Sequence, residues 1–206
     1  MRLLACGDKA ILVELEDAGE RRQLEEALRR DPVSGVLEHV PAARTVLVRA
    51  VSADQVPAIA LRLREIQLGG RTTSSATPEA EPVRIRTRYD GPDLDEVSRQ
   101  LGLSPAEVVA RHTGQLWTVE FVGFAPGFGY LLGDEGGLAV SRRDSPRVRI
   151  PPGSVGLAGP YSAVYPGPSP GGWQLIGRTE EVMWDVTRDP PALLSPGTRV
   201  QFVDVT

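Results

Sequence analysis

A single cysteine, Cys6, stands among 206 residues, which excludes an internal disulfide framework. Histidine is almost as scarce. With only His39 and His112 beside that one cysteine, a zinc centre lacks the roughly three or four N and S ligands it usually takes, and no metal site is expected. No apolar run approaches the ~20 residues of a membrane-spanning helix, so no transmembrane segment is expected. The apolar stretch at the start, Leu3 to Cys6, is too short for a secretory leader, and Asp8-Lys9 follow closely; the cytosol is the expected compartment. A dominant charge is missing too. Lys and Arg number 23 against 27 Asp and Glu, a net of −4 with no basic tail, which argues against nucleic acid or a membrane surface as partner. No P-loop signature, biotin-attachment motif or ATP-grasp-sized segment occurs. What remains, 41% apolar and 24% charged residues, describes a chain able to build a core as one large domain or two small ones.

The first third alternates helix and strand signals. Residues 11–15 (ILVEL) favour a strand, and Leu24, Ala27 and Leu28 form a helical stripe within 20–30 that Asp31-Pro32 ends. Strands are expected at 36–40 and 45–50. A second helical stripe, Val56, Ile59, Leu63 and Ile66, carries Asp54 as its expected N-cap and Pro57 in its first turn. The order β-α-β-β-α predicts an α+β domain over residues 1–68, with helices on one face of a small sheet. Residues 69–82 (GGRTTSSATPEAEP) hold no apolar side chain larger than alanine apart from proline and read as a linker. From residue 83 the pattern changes. Two short helices are expected, at 93–101, stopped by Gly102, and from the capping box Ser104-Pro105-Ala106-Glu107 to about His112. Otherwise only short β segments appear, at 83–88, 117–124, 147–150, 154–158, 173–176, 182–186 and 199–203, the mark of a barrel or sandwich.

The chemistry concentrates between Gly123 and Gly177, which hold 13 of 22 glycines and 8 of 18 prolines. Turn geometry alone would explain them. It does not explain why GFAPGFGY (123–130) sets Phe124, Phe128 and Tyr130 among turn residues, as a concave ligand wall would. Nor does it explain SRRDSPRVR (141–149), with four arginines against one acid. Arginine's planar fork suits carboxylate and phosphate, and with glycine N–H groups the segment reads as an anion site. For Arg147 and Arg149 the alternative is simple alternation, arginines outward and Val148 and Ile150 inward. For Arg142 and Arg143 both readings stand. The window has no Cys or His to build a nucleophilic triad. His112 is the only imidazole nearby, either a general base or a residue stabilising a helix C-terminus.

The strings FVGFAPGFGYLLG, SRRDSPRVRIPPGSVGLAG and VYPGPSPGGWQLIGRT, with LGLSPAEVVARHT and GDKAILVEL upstream, resemble the family of the 5-oxoprolinase B component, also called allophanate hydrolase subunit 1 or KipI-like. The likeness spans nearly the whole chain except the linker. It implies an α+β N-terminal domain followed by an all-β cyclophilin-like barrel at 83–206. It implies two partners, a homologous C component and a lactam-utilisation protein as A component. It also implies a small anionic lactam as substrate, and opening of 5-oxoproline to glutamate with ATP and Mg bound by or shared with a partner. Carried over, it points to His112, Arg142, Arg143 and Arg178 for chemistry. For substrate contact it points to Phe124, Pro126, Gly127, Phe128, Tyr130, Gly153, Gly171, Gly172, Trp173 and Thr179. One departure is visible: where the family commonly has a Gly-Gln-Thr-Gly-type turn, this chain reads Gly159-Pro160-Tyr161-Ser162-Ala163, without the amide. Two other roles occur in the family, inhibition of a sensor histidine kinase and the carboxyltransferase part of urea carboxylase. The lack of an evident base or nucleophile suits half a site completed by another chain.

Overall fold

The computed structural model describes residues 1–68 and 81–206; the expected linker, Glu81 and Pro82 apart, lies outside the described residues. The chain divides into two compact units, Met1–Glu79 and Ala80–Thr206.

In the first unit, β1 (Arg2–Ala5), β2 (Ala10–Glu14), β3 (Val36–Pro41) and β4 (Thr45–Ala50) form an antiparallel sheet in the order β1-β2-β4-β3. Helices α1 (Ala18–Arg30) and α2 (Val56–Glu65) supply Leu24, Leu28, Ile59 and Leu63 to a core shared with Ile11, Val13, Val46 and Val48. The period-2 alternation of β2 and β4 puts those four strand residues on one face. Asp17 caps α1, accepting from Glu20 N at 2.8 Å, and Glu20 answers by accepting from Glu16 N at 3.1 Å. Two expectations are corrected. Strand β1 is additional: the four-residue apolar run is a sheet edge. Asp54 is not the cap of α2, because a 3₁₀ turn at Ala53–Gln55 intervenes, although Pro57 does stand in the first turn.

The second unit contains β5 (Val83–Thr87), α3 (Leu94–Leu101), α4 (Pro105–Gly114), β6 (Trp117–Val122), β7 (Gly129–Gly133), β8 (Arg147–Ile150), β9 (Ser154–Ala158), β10 (Tyr161–Val164), β11 (Ser169–Gly171), β12 (Gln174–Arg178) and β13 (Arg199–Asp204). Seven strands run in the order β12-β9-β10-β7-β6-β13-β5. The two ends of that series meet through one antiparallel bridge, Arg88 to Arg178, with backbone bonds of 2.8 and 2.9 Å. This nearly closed barrel is consistent with the cyclophilin-like expectation, but the unit is not all-β. Val97 of α3 and Val108 of α4 are fully buried in the barrel's core cluster, so the two helices are part of its packing. Ser104 caps α4 in the expected capping box, and Gly102, at φ +66°, stops α3.

Several strand expectations shift. Residues 182–186 are not a strand. Only Trp184 bridges to Ala192, flanked by backbone bonds from Asp185 N to Pro191 O and from Leu193 N to Met183 O at 2.9 Å each, and Arg188 Nη2 donates to the carbonyls of Val182, Met183 and Pro191. Strands β7, β10 and β11 were not anticipated. Strand β8 departs from the expected facing at two of its four residues: Val148 is 92% exposed and Arg147 partly buried, whereas Arg149 is exposed and Ile150 buried as expected. The reason is topological. Strand β8 pairs only with β11, in a two-stranded ribbon outside the main sheet, so nothing covers Val148, and Arg147 turns toward an acid.

Candidate functional site

The loop between β6 and β7 folds back tightly, with Ala125 N bonded to Gly123 O at 2.7 Å and Phe128 N to Ala125 O at 3.0 Å. Within it Phe124 adopts φ +66°. A side chain in that left-handed region costs roughly 1–2 kcal/mol, and here the residue is a phenylalanine with 59% of its surface exposed. Its ring stands 5.2 Å from Phe128 and 6.3 Å from Tyr165. Gly127, at φ +81°, lets the loop lie against the 183–184 segment: a Cβ there would come 2.9 Å from that of Trp184. Between the loop and that segment runs a groove of about 410 Å³, lined by residues 122–127 on one side and Trp184, Ala192, Leu194, Ser195 and Pro196 on the other. Its walls are mainly apolar, and the Ser195 hydroxyl is the one polar side-chain group other than the Trp184 indole N–H.

Behind the rim of the groove lies an aromatic cluster. Phe128 packs edge-on against Tyr130, Tyr165 and Trp173 at 5.1, 5.2 and 5.5 Å, and Tyr130 stacks on Phe121 at 4.3 Å. Phe128, Tyr165 and Trp173 are buried, and Tyr130 is half-buried. Gly171 approaches this cluster so closely that a Cβ would fall 2.6 Å from the Tyr165 hydroxyl oxygen. Burial pushes the Tyr165 phenol up to about 12, so it stays a hydrogen-bond donor at neutral pH.

Beside the cluster the arginines divide by partner. Asp93, buried at the start of α3, accepts from Arg143 Nη1 and Arg147 Nη2 at 2.8 Å each, and its other oxygen accepts from Leu175 N at 2.7 Å. Burial alone would raise this carboxyl. The Arg147 and Leu175 hydrogen bonds and the two guanidinium charges outweigh it and hold the carboxyl below its ordinary value of 3.8. Arg143 also donates its backbone N–H to Gly172 O at 2.8 Å. Arg178 is exposed and pairs with Asp90 through Nε and Nη2, at 3.1 and 2.8 Å. Arg142 is exposed and has no ion-pair or hydrogen-bond partner among the described residues.

The sequence-predicted residues therefore separate into three groups. Phe124, Phe128, Tyr130, Gly171, Gly172, Trp173, Arg142 and Arg143 gather around the aromatic cluster. Pro126 and Gly127 line the groove together with Phe124. The rest lie elsewhere. Gly153 and Thr179 are buried and pair with each other through backbone, Thr179 N to Gly153 O at 2.8 Å. Arg178 sits at the barrel seam. His112 is fully buried among Trp117 and Phe202, its Nδ1 2.7 Å from the Tyr89 hydroxyl and its Nε2 2.9 Å from Ser162 Oγ. Both ring nitrogens are committed inside the core, and the imidazole lines no part of the groove. Three features were missed in the sequence. The far wall of the groove, Trp184 and 192–196, carries little signal beyond apolar residues around a proline-rich turn. Tyr165 stands in the third of the resembling strings but was not among the expected contact residues. Asp93 looked like an ordinary helix start, and its signal was an acid facing an arginine-rich segment that otherwise holds only Asp144.

Comparison with known proteins places this geometry. The chain belongs to the family described as carboxyltransferase domain, subdomain C and D, whose model matches residues 1–194. It is 36% identical to the protein named as the B component of 5-oxoprolinase in Escherichia coli O157:H7, over 98% of this chain and 95% of that one. With the protein of the same name from Bacillus subtilis it shares 47% identity over 56% of this chain and 48% of the relative. Among solved structures, TTHA0988 superposes with a TM-score of 0.75 at 35% identity, covering 96% of this chain but only 40% of that one. The Kluyveromyces lactis urea amidolyase shares the fold, with a TM-score of 0.75 at 19% identity over 99% of this chain and 15% of that one.

Proposed function

We propose that this chain is the B component of an ATP-dependent 5-oxoprolinase, which opens 5-oxo-L-proline to L-glutamate together with a homologous C component and a lactam-utilisation A component. The observation that carries the reading is end-to-end similarity to a protein named as that B component, at 36% identity over 95% of its length. The geometry supports a binding role for this chain and chemistry completed on another. The groove offers aromatic and apolar walls for a small ring. It offers no acid or base, since His112 is buried and Asp93 is held by two arginines and a backbone N–H. A triphosphate with Mg does not fit these residues. The groove has no side-chain cation for phosphate oxygens and no carboxylate for the metal, so no step is assigned here to ATP, and the reading places it with a partner.

The test is co-expression with the A and C components, followed by assay of glutamate release. The expected result is ATP-dependent release from the three-component assembly and none from this chain alone. Robust turnover by the single chain would overturn the shared site, and none by the assembly would overturn the assignment. A second reading, inhibition of a sensor histidine kinase, is favoured by one observation: Phe124, Trp184, Val182 and Val186 expose apolar surface. Capture of a histidine kinase without the C component would support it instead.

A further inference from the structure

Strand β5 has a ladder on one side only. It pairs in parallel with β13 and, just past its end, meets β12 through the single bridge from Arg88 to Arg178. Which backbone groups face the other side follows from parity. Thr87 O accepts from Val205 N at 3.0 Å, so Thr87, and with it Ile85 and Val83, turns its N–H and C=O toward β13. Arg88 faces the opposite way, exchanging bonds of 2.8 and 2.9 Å with Arg178, and Arg84 and Arg86 share its direction. Strand β12 does not continue beside them. After Arg178 the chain turns off, with Thr179 N bonded to Gly153 O at 2.8 Å and Glu181 N to Thr179 Oγ1 at 3.1 Å. Among the described residues, the N–H and C=O groups of Arg84 and Arg86 therefore have no strand partner.

The side chains follow the same alternation. Ile85, Thr87 and Tyr89 are buried, while Arg84, Arg86 and Arg88 are exposed. None of these three guanidinium groups has an ion pair or hydrogen bond among the described residues. The next acid along the chain, Asp90, is held by Arg178, and Glu180 and Glu181 pair with none of the three. Charge on an edge strand deters aggregation, and the same charges exclude a second copy here: pairing β5 with β5 would set arginine against arginine. An acidic strand meets no such obstacle.

We propose that the open edge of β5 binds an extended acidic segment of another protein, added antiparallel beside Arg84 and Arg86 with carboxylate side chains at the alternate positions that face them. Main-chain bonds supply the attachment, and the arginines select the partner. The surface uses none of the residues that line the groove and is independent of the reaction proposed above.

The experiment titrates the full chain with a short capped peptide alternating glutamate and threonine, followed by calorimetry and by NMR of the amide protons. Binding is expected to protect the Arg84 and Arg86 amides from exchange, and to be at least ~10-fold tighter than for a peptide of the same composition with its glutamates in one block. The peptide residues opposite Arg84 and Arg86 turn their own amides to the edge, so methylating the glutamate nitrogens should abolish binding and methylating the threonine nitrogens should spare it. Arg84→Glu with Arg86→Glu should switch the preference to an alternating lysine–threonine peptide, with little change in Tm because both side chains are exposed. Should that pair of changes prevent folding, Arg84→Gln with Arg86→Gln is expected to weaken binding of the acidic peptide at least ~10-fold. Equal affinity for the alternating and block peptides, indifference to glutamate methylation, or equal binding of a polyanion such as heparin would reduce the effect to charge attraction and overturn the proposal. Protection at β1 or β3 in place of β5 overturns it as well.

Discussion

Burial keeps the His112 imidazole neutral, pushing its pKa down to about 3. In the unfolded chain the same ring titrates near ~6.5. Between those values the unfolded state binds a proton that the folded state refuses. Stability from this residue is thus complete above ~pH 6.5 and falls, by about 1.4 kcal/mol per pH unit, as the pH drops toward 3. In urea titrations at pH 7, 6 and 5, His112→Gln is expected to be less stable than the parent at pH 7 and to show a shallower loss toward pH 5. Parallel slopes for the two proteins would mean that the folded imidazole carries a charge. Residue type and helix position say nothing of the depth at which His112 sits. Tyr89, Trp117, Ser162 and Phe202 converge on it from four different elements or loops, and that convergence is tertiary.

At the scale of elements, Asp93 joins three segments distant in sequence: the start of α3, the strand β8 with the turn before it, and the backbone of β12. Its folded pKa lies below 3.8, so the stability it adds is present above the unfolded value and is lost as pH falls through the folded one. Asp93→Asn should cost about 2–3 kcal/mol at pH 7, because charge-assisted bonds are lost and two partly buried guanidinium groups lose their counter-ion. The gap to the parent protein should begin to narrow below about pH 3.8 and close as the pH falls through the lower folded value, where Asp93 itself becomes protonated. Chemical denaturation across pH 2.5–7 checks this, and a gap independent of pH would assign Asp93 to capping alone. Elements with strong local signals were legible in the sequence: the capping box at Ser104, the glycine stop at Gly102 and the alternation in β2 and β4 all appear where local chemistry places them. Strands β10 and β11 were not, since Ser162-Ala163 and Ser169-Pro170-Gly171 have weak strand propensity and pair only because neighbouring strands offer a ladder. The site was legible as composition, aromatics with arginines. Which arginines take an acid partner depended on Asp93 and Asp90, both outside the arginine-rich segment.

For the whole molecule, the two hydrophobic clusters have no residue in common: one draws on residues 11–63, the other on 85–202. Residues 81–206 expressed alone are therefore expected to fold, with amide NMR signals overlaying those of the full chain. Broad collapse of those signals into the unfolded range would show that the barrel needs the preceding residues. The same separation fits the reading in which the aromatic and arginine groups serve a larger assembly. TTHA0988, of which this chain spans 40%, carries a matching portion within a longer polypeptide.

The seam between Arg88 and Arg178 bears on how such an assembly is recruited. The closure rests on that single bridge: β5 has a ladder only with β13, so residues 83–87 keep one edge without a strand partner among the described residues. The small sheet of residues 2–50 likewise ends in two edge strands, β1 and β3, whose bare backbone could zip to another chain.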